Sequence, residues 1–267
     1  MGGDLNAFTT KTNTVYYSAI LKDHLPRAID LLTDIVFHSV YPQKEIDKEV
    51  EVICDEIESY NDSPAELIYD EFENIIFRGH PLGHSILGTA ERVRKFTTED
   101  ALRFTKKHYQ PMNSVFFAYG DIDFDNLLSL LEKENGCKVK VKGETEKTIE
   151  IPLPALSEYQ PQTVKINKNT HQAHVMIGNR AYSIHDKRRM ALYLLNNILG
   201  GPGMSARLNL ALRERRGLVY TVDSSMVSYS LTGIWAIYFG CDADDLDECM
   251  RLVRAELDHF IDIPLTD

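Results

Sequence analysis

The chain has 267 residues, 43% hydrophobic and 26% charged, which is the composition of an ordinary folded protein with room for two domains or one large one. A net charge of −11 argues against nucleic acid or an anionic membrane as the main partner. No apolar run reaches transmembrane length and no signal peptide opens the chain. Cys54, Cys137, Cys241 and Cys249 form no C-x-x-C pair, so reduced thiols and a cytoplasmic location are expected.

Residues 5–21, LNAFTTKTNTVYYSAIL, are β-branched and aromatic, with a Thr-Asn turn or bulge in the middle. Residues 25–40 have helical periodicity, with Pro26 in the first turn. A third segment, from Gln43 to Tyr60, contains no Pro or Gly. Its apolar residues Ile46, Val50, Ile53, Ile57 and Tyr60 recur at spacings of three and four, which predicts an amphipathic helix. Further helices are predicted over 63–77, over 97–109 with Thr98 as its cap, and over FDNLLSLLEKEN. SVFFAYGDI (114–122) reads as a buried strand, and the polar, proline-bearing stretch 138–161 as a linker. Beyond it, TVKINKN and AHVMIGNRAY read as strands and DKRRMALYLLNNIL as a helix. SARLNLALRERR reads as a helix capped by Ser205 and stopped by Gly217. A long strand pair over 218–241 and a final helix follow.

Shifted by 221 residues, TVYYSAIL overlies WAIYFGCD and AIDLLTDIV overlies CMRLVRAEL. Strand, short acidic turn and amphipathic helix match in order, which favours two related α+β halves: 1–137, then the linker 138–161, then 162–267. Gly2-Gly3 is a helix stop with no helix before it. Thr266-Asp267 is a helix start with none after it. Both ends read as cuts, and the expectation is a piece of a longer design.

Within the acidic helix, Asp47, Glu51, Asp55 and Glu58 fall on the solvated face. Glu49 and Glu56 stack two turns apart at the edge of the apolar stripe. A carboxylate there pairs with a neighbouring Lys or Arg, or else it serves a metal or another donor. Other motifs read as structural. His80 and His84 are spaced i, i+4, but Pro81 and Gly83 between them forbid a regular helix. His171 and His174 start a strand at odd separation and so point to opposite faces. LGGPGMS lacks the phosphate-loop pattern and reads as a turn. Arg213 and Tyr220 flank the Gly217 stop, either as a helix-end cation and a sheet tyrosine or as a working pair.

The segments GGDLNAFTTKTNTVYY, HLPRAIDLLTDIV, EVEVICDEIE, HPLGHSILGTAERV, HYQPMNSVFFAYGDI and LGGPGMSARLNLALRERRGLVYTV, in that order, resemble the inverzincin metallopeptidases: the pitrilysin, insulinase and mitochondrial processing peptidase family. The resemblance covers nearly the whole chain and is nearest to the short bacterial members. It implies an α+β fold of two homologous halves, each an antiparallel sheet packed with helices, closing like a clam on a peptide. It implies that Glu56 is the third zinc ligand after the two histidines of H-x-x-E-H, with Glu49 supporting the site from behind. It further implies that Asn6, Ala7 and Phe8 form the edge strand on which substrate lies, and that Arg213 and Tyr220 contact the substrate or the transition state. H-x-x-E-H itself does not occur in these 267 residues. The expectation is therefore part of a zinc endopeptidase acting on oligopeptides or unfolded chains, inactive as it stands, with zinc held only by the complete protein. The alternative is a non-catalytic partner subunit that binds peptides or completes another subunit's chamber. Expected partners are a peptide substrate and a homo- or hetero-oligomeric assembly, with neither nucleic acid nor membrane.

Overall fold

The computed structural model of the chain describes residues 2–135 and 154–263, so Cys137 and most of the expected linker lie outside the described residues. The fold is α+β and separates into two compact units. Described residues 2–57 and 86–135 make the first, and 58–85 and 154–263 the second.

The first unit opens with a hairpin of β1 (Asp4–Thr9) and β2 (Thr14–Ala19), in which Asn6 lies opposite Tyr17 and Phe8 opposite Val15. The predicted Thr-Asn turn closes it, with the Thr10 N–H donating to the Asn13 carbonyl at 2.8 Å. A 3-10 turn (Lys22–His24) leads into α1 (Leu25–Phe37), which packs against β2 and buries Ile29. α1 shares a small core with α6 (Phe124–Asn135), where Ile29 meets Leu127 and Leu131. α2 (Gln43–Asn61) buries Val50, Cys54 and Ile57 against Val93 of the short helix α4 (Ala90–Val93). The last turn of α2 belongs to the second unit.

Two expectations about the elements of this unit fail. The cap of α5 (Thr98–His108) is Thr97, not Thr98. Thr97 forms a reciprocal capping box with Asp100, while the Thr98 hydroxyl donates to the Tyr41 carbonyl at 2.7 Å. Residues 114–122 do not form a buried strand. Val115, Phe117 and Tyr119 are 94%, 82% and 92% exposed, and no backbone group of 115–119 has a hydrogen-bond partner among the described residues. Ala118 packs towards α1 and α6, but strand propensity becomes a strand only where a ladder exists to join.

The second unit holds α3 (Pro64–Ile76) and a three-stranded antiparallel sheet of β3 (Gln172–Ala181), β4 (Val219–Ser228) and β5 (Gly233–Asp242), with β5 central. TVKINKN does not join this sheet: residues 163–169 are exposed and irregular, and the strand begins at Gln172. One sheet face carries the main core. Ile237, Phe239 and Cys241 pack there against Leu199 of α7 (Arg189–Gly200), Leu208 and Leu212, and Leu252 and Val253 of α8 (Leu246–Asp262). The other face is covered by α3. Gly178 permits close packing of β3 on β5, since a Cβ there would strike the Trp235 backbone. Arg180 ties β3 to the end of α3 by donating to the Ile76 carbonyl at 3.0 Å.

The 221-residue echo has a structural counterpart. β5 is followed by a 3-10 turn (Ala243–Asp245) and then α8, as β2 is followed by its own 3-10 turn and α1. Leu25 and Leu246, 221 residues apart, open the two helices.

Candidate functional site

Glu49 and Glu56 lie two turns apart on α2, as the periodicity predicts, but both are exposed rather than half-buried. Among the described residues the apolar stripe of α2 packs against Leu87, Ala90 and Val93, and the flank carrying the two carboxylates is exposed. Zinc sites in proteins take three or four nitrogen, sulfur or oxygen ligands. Among the described residues no cluster of three or more His, Cys, Asp or Glu side chains could hold a metal ion. The donor set of the described residues does not fit zinc by itself.

Asn6, Ala7 and Phe8 lie on β1, which pairs only with β2 among the described strands, leaving its other edge free for a further strand. All three are exposed. The Asn6 side-chain oxygen accepts the Ala7 N–H at 2.8 Å. On one side of the hairpin, Asn6, Phe8 and Tyr17 stand together, with the Phe8 and Tyr17 rings edge to face at 6.2 Å. On the opposite side the Tyr16 hydroxyl meets that of Tyr109 at 3.4 Å, and burial pushes the Tyr16 phenol well above its ordinary range.

Arg213 and Tyr220 are presented by irregular backbone. The helical turn that begins at Arg207, two residues past Ser205, widens into a π-helix over Asn209–Glu214. Such turns concentrate at functional positions. Gly217 takes a φ of 65° and ends it, as the sequence predicts. Tyr220 is then the extra residue of a β-bulge, because Val219 lies opposite Cys241 and Thr221 opposite Gly240. A bulge turns a side chain away from its neighbours' faces, and Tyr220 is 76% exposed. Arg213 is exposed too, with Glu214 at 3.9 Å.

The histidine motifs serve structure. His80 is buried; its Nδ1 accepts the Leu82 N–H at 3.2 Å and its Nε2 donates to the Pro154 carbonyl at 3.1 Å. His174 faces the sheet, with Nδ1 at 2.9 Å from the Tyr238 hydroxyl, and burial lowers its pKa. Cys54, Cys241 and Cys249 are free and buried, and burial pushes the Cys249 thiol up to about 12.

One cluster escaped the sequence. Tyr69 of α3 lies on Tyr238 with ring centres 5.4 Å apart, and its phenol stands beside the Asp223 carboxylate of β4. Burial raises the Asp223 pKa, which the Tyr69 hydrogen bond partly offsets. No local signal announces this cluster, because its members lie on α3, β4 and β5 and meet only through the sheet register and the seating of the helix.

The family model for the insulinase peptidases, family M16, matches residues 1–90, and that for the peptidase M16 inactive domain matches residues 95–267. The chain is 34% identical to an uncharacterized zinc protease of Streptomyces coelicolor, over 100% of this chain and 58% of that protein. It is also 34% identical to one of Bacillus subtilis, over 96% of this chain and 61% of that protein. It thus spans about 60% of the length of these curated relatives. Two solved structures share its fold. A peptidase M16 inactive domain from Pseudomonas fluorescens has a TM-score of 0.86 at 21% identity, covering 99% of this chain and 63% of that one. A protease from Helicobacter pylori has 0.84 at 20%, covering 100% and 64%. The sequence motifs, the fold and the family models agree, and the chain belongs to the insulinase, or M16, peptidase family.

Proposed function

We propose that this chain is the peptide-binding and transition-state-contacting part of a zinc metalloendopeptidase, and that these 267 residues alone do not hydrolyse peptides. The observation that carries the reading is the presentation of Arg213 and Tyr220. A π-helix, a left-handed glycine and a β-bulge within twelve residues turn a guanidinium and a phenol out to solvent. A purely structural segment gains nothing from that expense of backbone regularity. Arg213 offers charge-assisted hydrogen bonds to peptide carbonyls, and the Tyr220 hydroxyl donates to a carbonyl or to the oxyanion that forms as it is attacked. The free edge of β1 supports the same reading, since an extended peptide adds to such an edge by main-chain hydrogen bonds. Glu56 supplies one zinc ligand, supported by Glu49. The imidazoles and the general base belong to an H-x-x-E-H that this sequence does not contain.

A second reading, a non-catalytic partner subunit that binds peptides, is favoured by that same missing motif. One experiment separates them, using a form of the protein that carries H-x-x-E-H. There Tyr220→Phe lowers hydrolysis of a quenched peptide by roughly 100- to 1000-fold, the usual effect of losing one oxyanion donor. Zinc content and melting temperature stay near wild type, whereas Glu56→Gln lowers zinc content as well as activity. Unchanged turnover in Tyr220→Phe removes the transition-state role, and a parent that binds peptides without cleaving them establishes the second reading.

A further inference from the structure

The wide turn that presents Arg213 is closed in part by a side chain. In an α-helix each carbonyl accepts the N–H four residues on, and in a π turn the one five residues on. At the end of this segment Leu210 accepts the Arg215 N–H at 3.2 Å, five residues on. Leu212 accepts the Leu218 N–H at 3.0 Å, and Arg213 accepts the Gly217 N–H at 2.8 Å. Ala211, between them, accepts a guanidinium: Nη1 of Arg216 lies 3.0 Å from its oxygen. The N–H that an α register would bring to Ala211 is that of Arg215, and it is already engaged with Leu210. The Arg216 side chain therefore stands in for the backbone donor that the π register has drawn away.

We infer that Arg216 is a positioning residue for Arg213: its guanidinium holds the wide register and so sets the direction in which Arg213 leaves the turn. The inference rests on the reading of Arg213 as a contact for the peptide backbone, and adds the residue that aims it. Ala211 and Leu212 are buried, whereas Arg213 and Arg216 are exposed. Arg216 therefore has little else to hold the turn by than this one bond. Without that donor, the Arg215 N–H gains by moving from the Leu210 carbonyl to that of Ala211, which would otherwise lose its partner. The move closes the turn to an α register. It takes one residue out of the loop that carries Arg213 and turns its side chain by roughly the 100° of one helical residue.

Two measurements test this. Crystal structures of the wild-type chain and of Arg216→Ala read the register. The Arg215 N–H is expected on Leu210 in the first and on Ala211 in the second. Hydrolysis of a quenched peptide, by a form of the protein that carries H-x-x-E-H, reads the aim. Arg213→Ala and Arg216→Ala should each raise KM about 10-fold with kcat within about twofold of wild type, because a contact to the peptide backbone is lost in ground and transition states alike. The double variant should be no worse than Arg213→Ala, as for two residues acting through one contact. Arg216→Lys, which keeps a cationic donor, should restore most of the KM. The inference is overturned by an Arg216→Ala chain that keeps the wide turn, by a wild-type KM in that variant while Arg213→Ala raises it, or by effects that multiply in the double variant. If Arg213→Ala itself leaves KM unchanged, the peptide-contact reading falls and the inference falls with it, even where the crystal shows the turn closed.

Discussion

The two hairpins of this molecule are built alike and finished differently. β1–β2 and β4–β5 are both antiparallel, both run through a 3-10 turn into an amphipathic helix, and both place a tyrosine opposite a short polar residue. β4–β5 has β3 at its side, α7 and α8 on one face and α3 on the other, and Phe239 and Ile237 are fully buried within it. β1–β2 has α1 on one face and solvent on the other, and every residue of β1 is exposed. One pattern can therefore serve as a core or as a platform, and what decides is the layer laid over it rather than the strands themselves.

The sharpest way to break the comparison is to remove the two equivalent tyrosines. Tyr238→Ala takes away a nearly buried ring that touches Tyr69 and the His174 imidazole, and should cost about 3 kcal/mol, as large-to-small changes in cores do. Tyr17→Ala removes a ring in contact with Phe8 and water, and should cost about 0.5 kcal/mol, as surface changes do. Denaturant titrations of the two variants decide it. Equal losses would mean that the first face is covered as thoroughly as the second.

A smaller effect sharpens the account of the covered face. Tyr69→Phe keeps the ring on Tyr238 but takes the phenol from beside the half-buried Asp223 carboxylate, which should cost about 1 kcal/mol near neutral pH. Burial already holds the folded pKa of Asp223 above its unfolded value, so the folded state takes up the proton more readily. The penalty of the buried charge is therefore fully present above the raised folded pKa and is relieved as pH falls through it. The deficit of Tyr69→Phe should shrink over that same interval. Asp223→Asn, which cannot ionise, should show no such dependence. Melting temperatures of the three proteins from neutral pH down into the carboxylate range test this, and a deficit constant with pH would count against a charged Asp223.

The sequence made most helices legible because each carries its own stripe. The spacing of Ile46, Val50, Ile53 and Ile57 on α2 names the buried side before any partner is known, though not Cys54, which the structure buries with them. Arg213 and Tyr220 were singled out only by a resemblance to a family, while the π-helix and the bulge that present them were not foreseen. Both arise from a mismatch between helix or strand and its neighbours, and residue types do not record it. Burial of strand 114–122 was misjudged for the opposite reason. Val115, Phe117 and Tyr119 have the composition of a core strand, but composition cannot supply a neighbouring ladder. Glu49 and Glu56 were placed correctly on their helix and wrongly in depth, because periodicity gives a direction and not the thickness of what lies there.

The smallest effect compares charges. Arg207 and Glu256 pair at 2.8 Å in the second unit, with side chains 28% and 22% exposed and the guanidinium 4.8 Å from the Phe260 ring centre. Lys22 and Asp121 pair at 2.6 Å in the first unit, with side chains 61% and 88% exposed. Distance alone would rank the second pair higher. Water ranks it lower, because an exposed pair gains little over its own hydration and must order a long lysine side chain. Arg207→Ala also gives up the contact of its stem and guanidinium with the Phe260 ring, so it should cost about 1 kcal/mol. Its effect should persist in high salt, since a half-buried pair is screened less. Lys22→Ala should leave the denaturation midpoint unchanged within error at moderate salt, and any loss seen at low salt should vanish as salt is added. If instead Lys22→Ala proves the more damaging and its effect resists salt, that corner of the first unit is more enclosed than the hairpin beside it, and the contrast between an open and a covered unit no longer extends to charge.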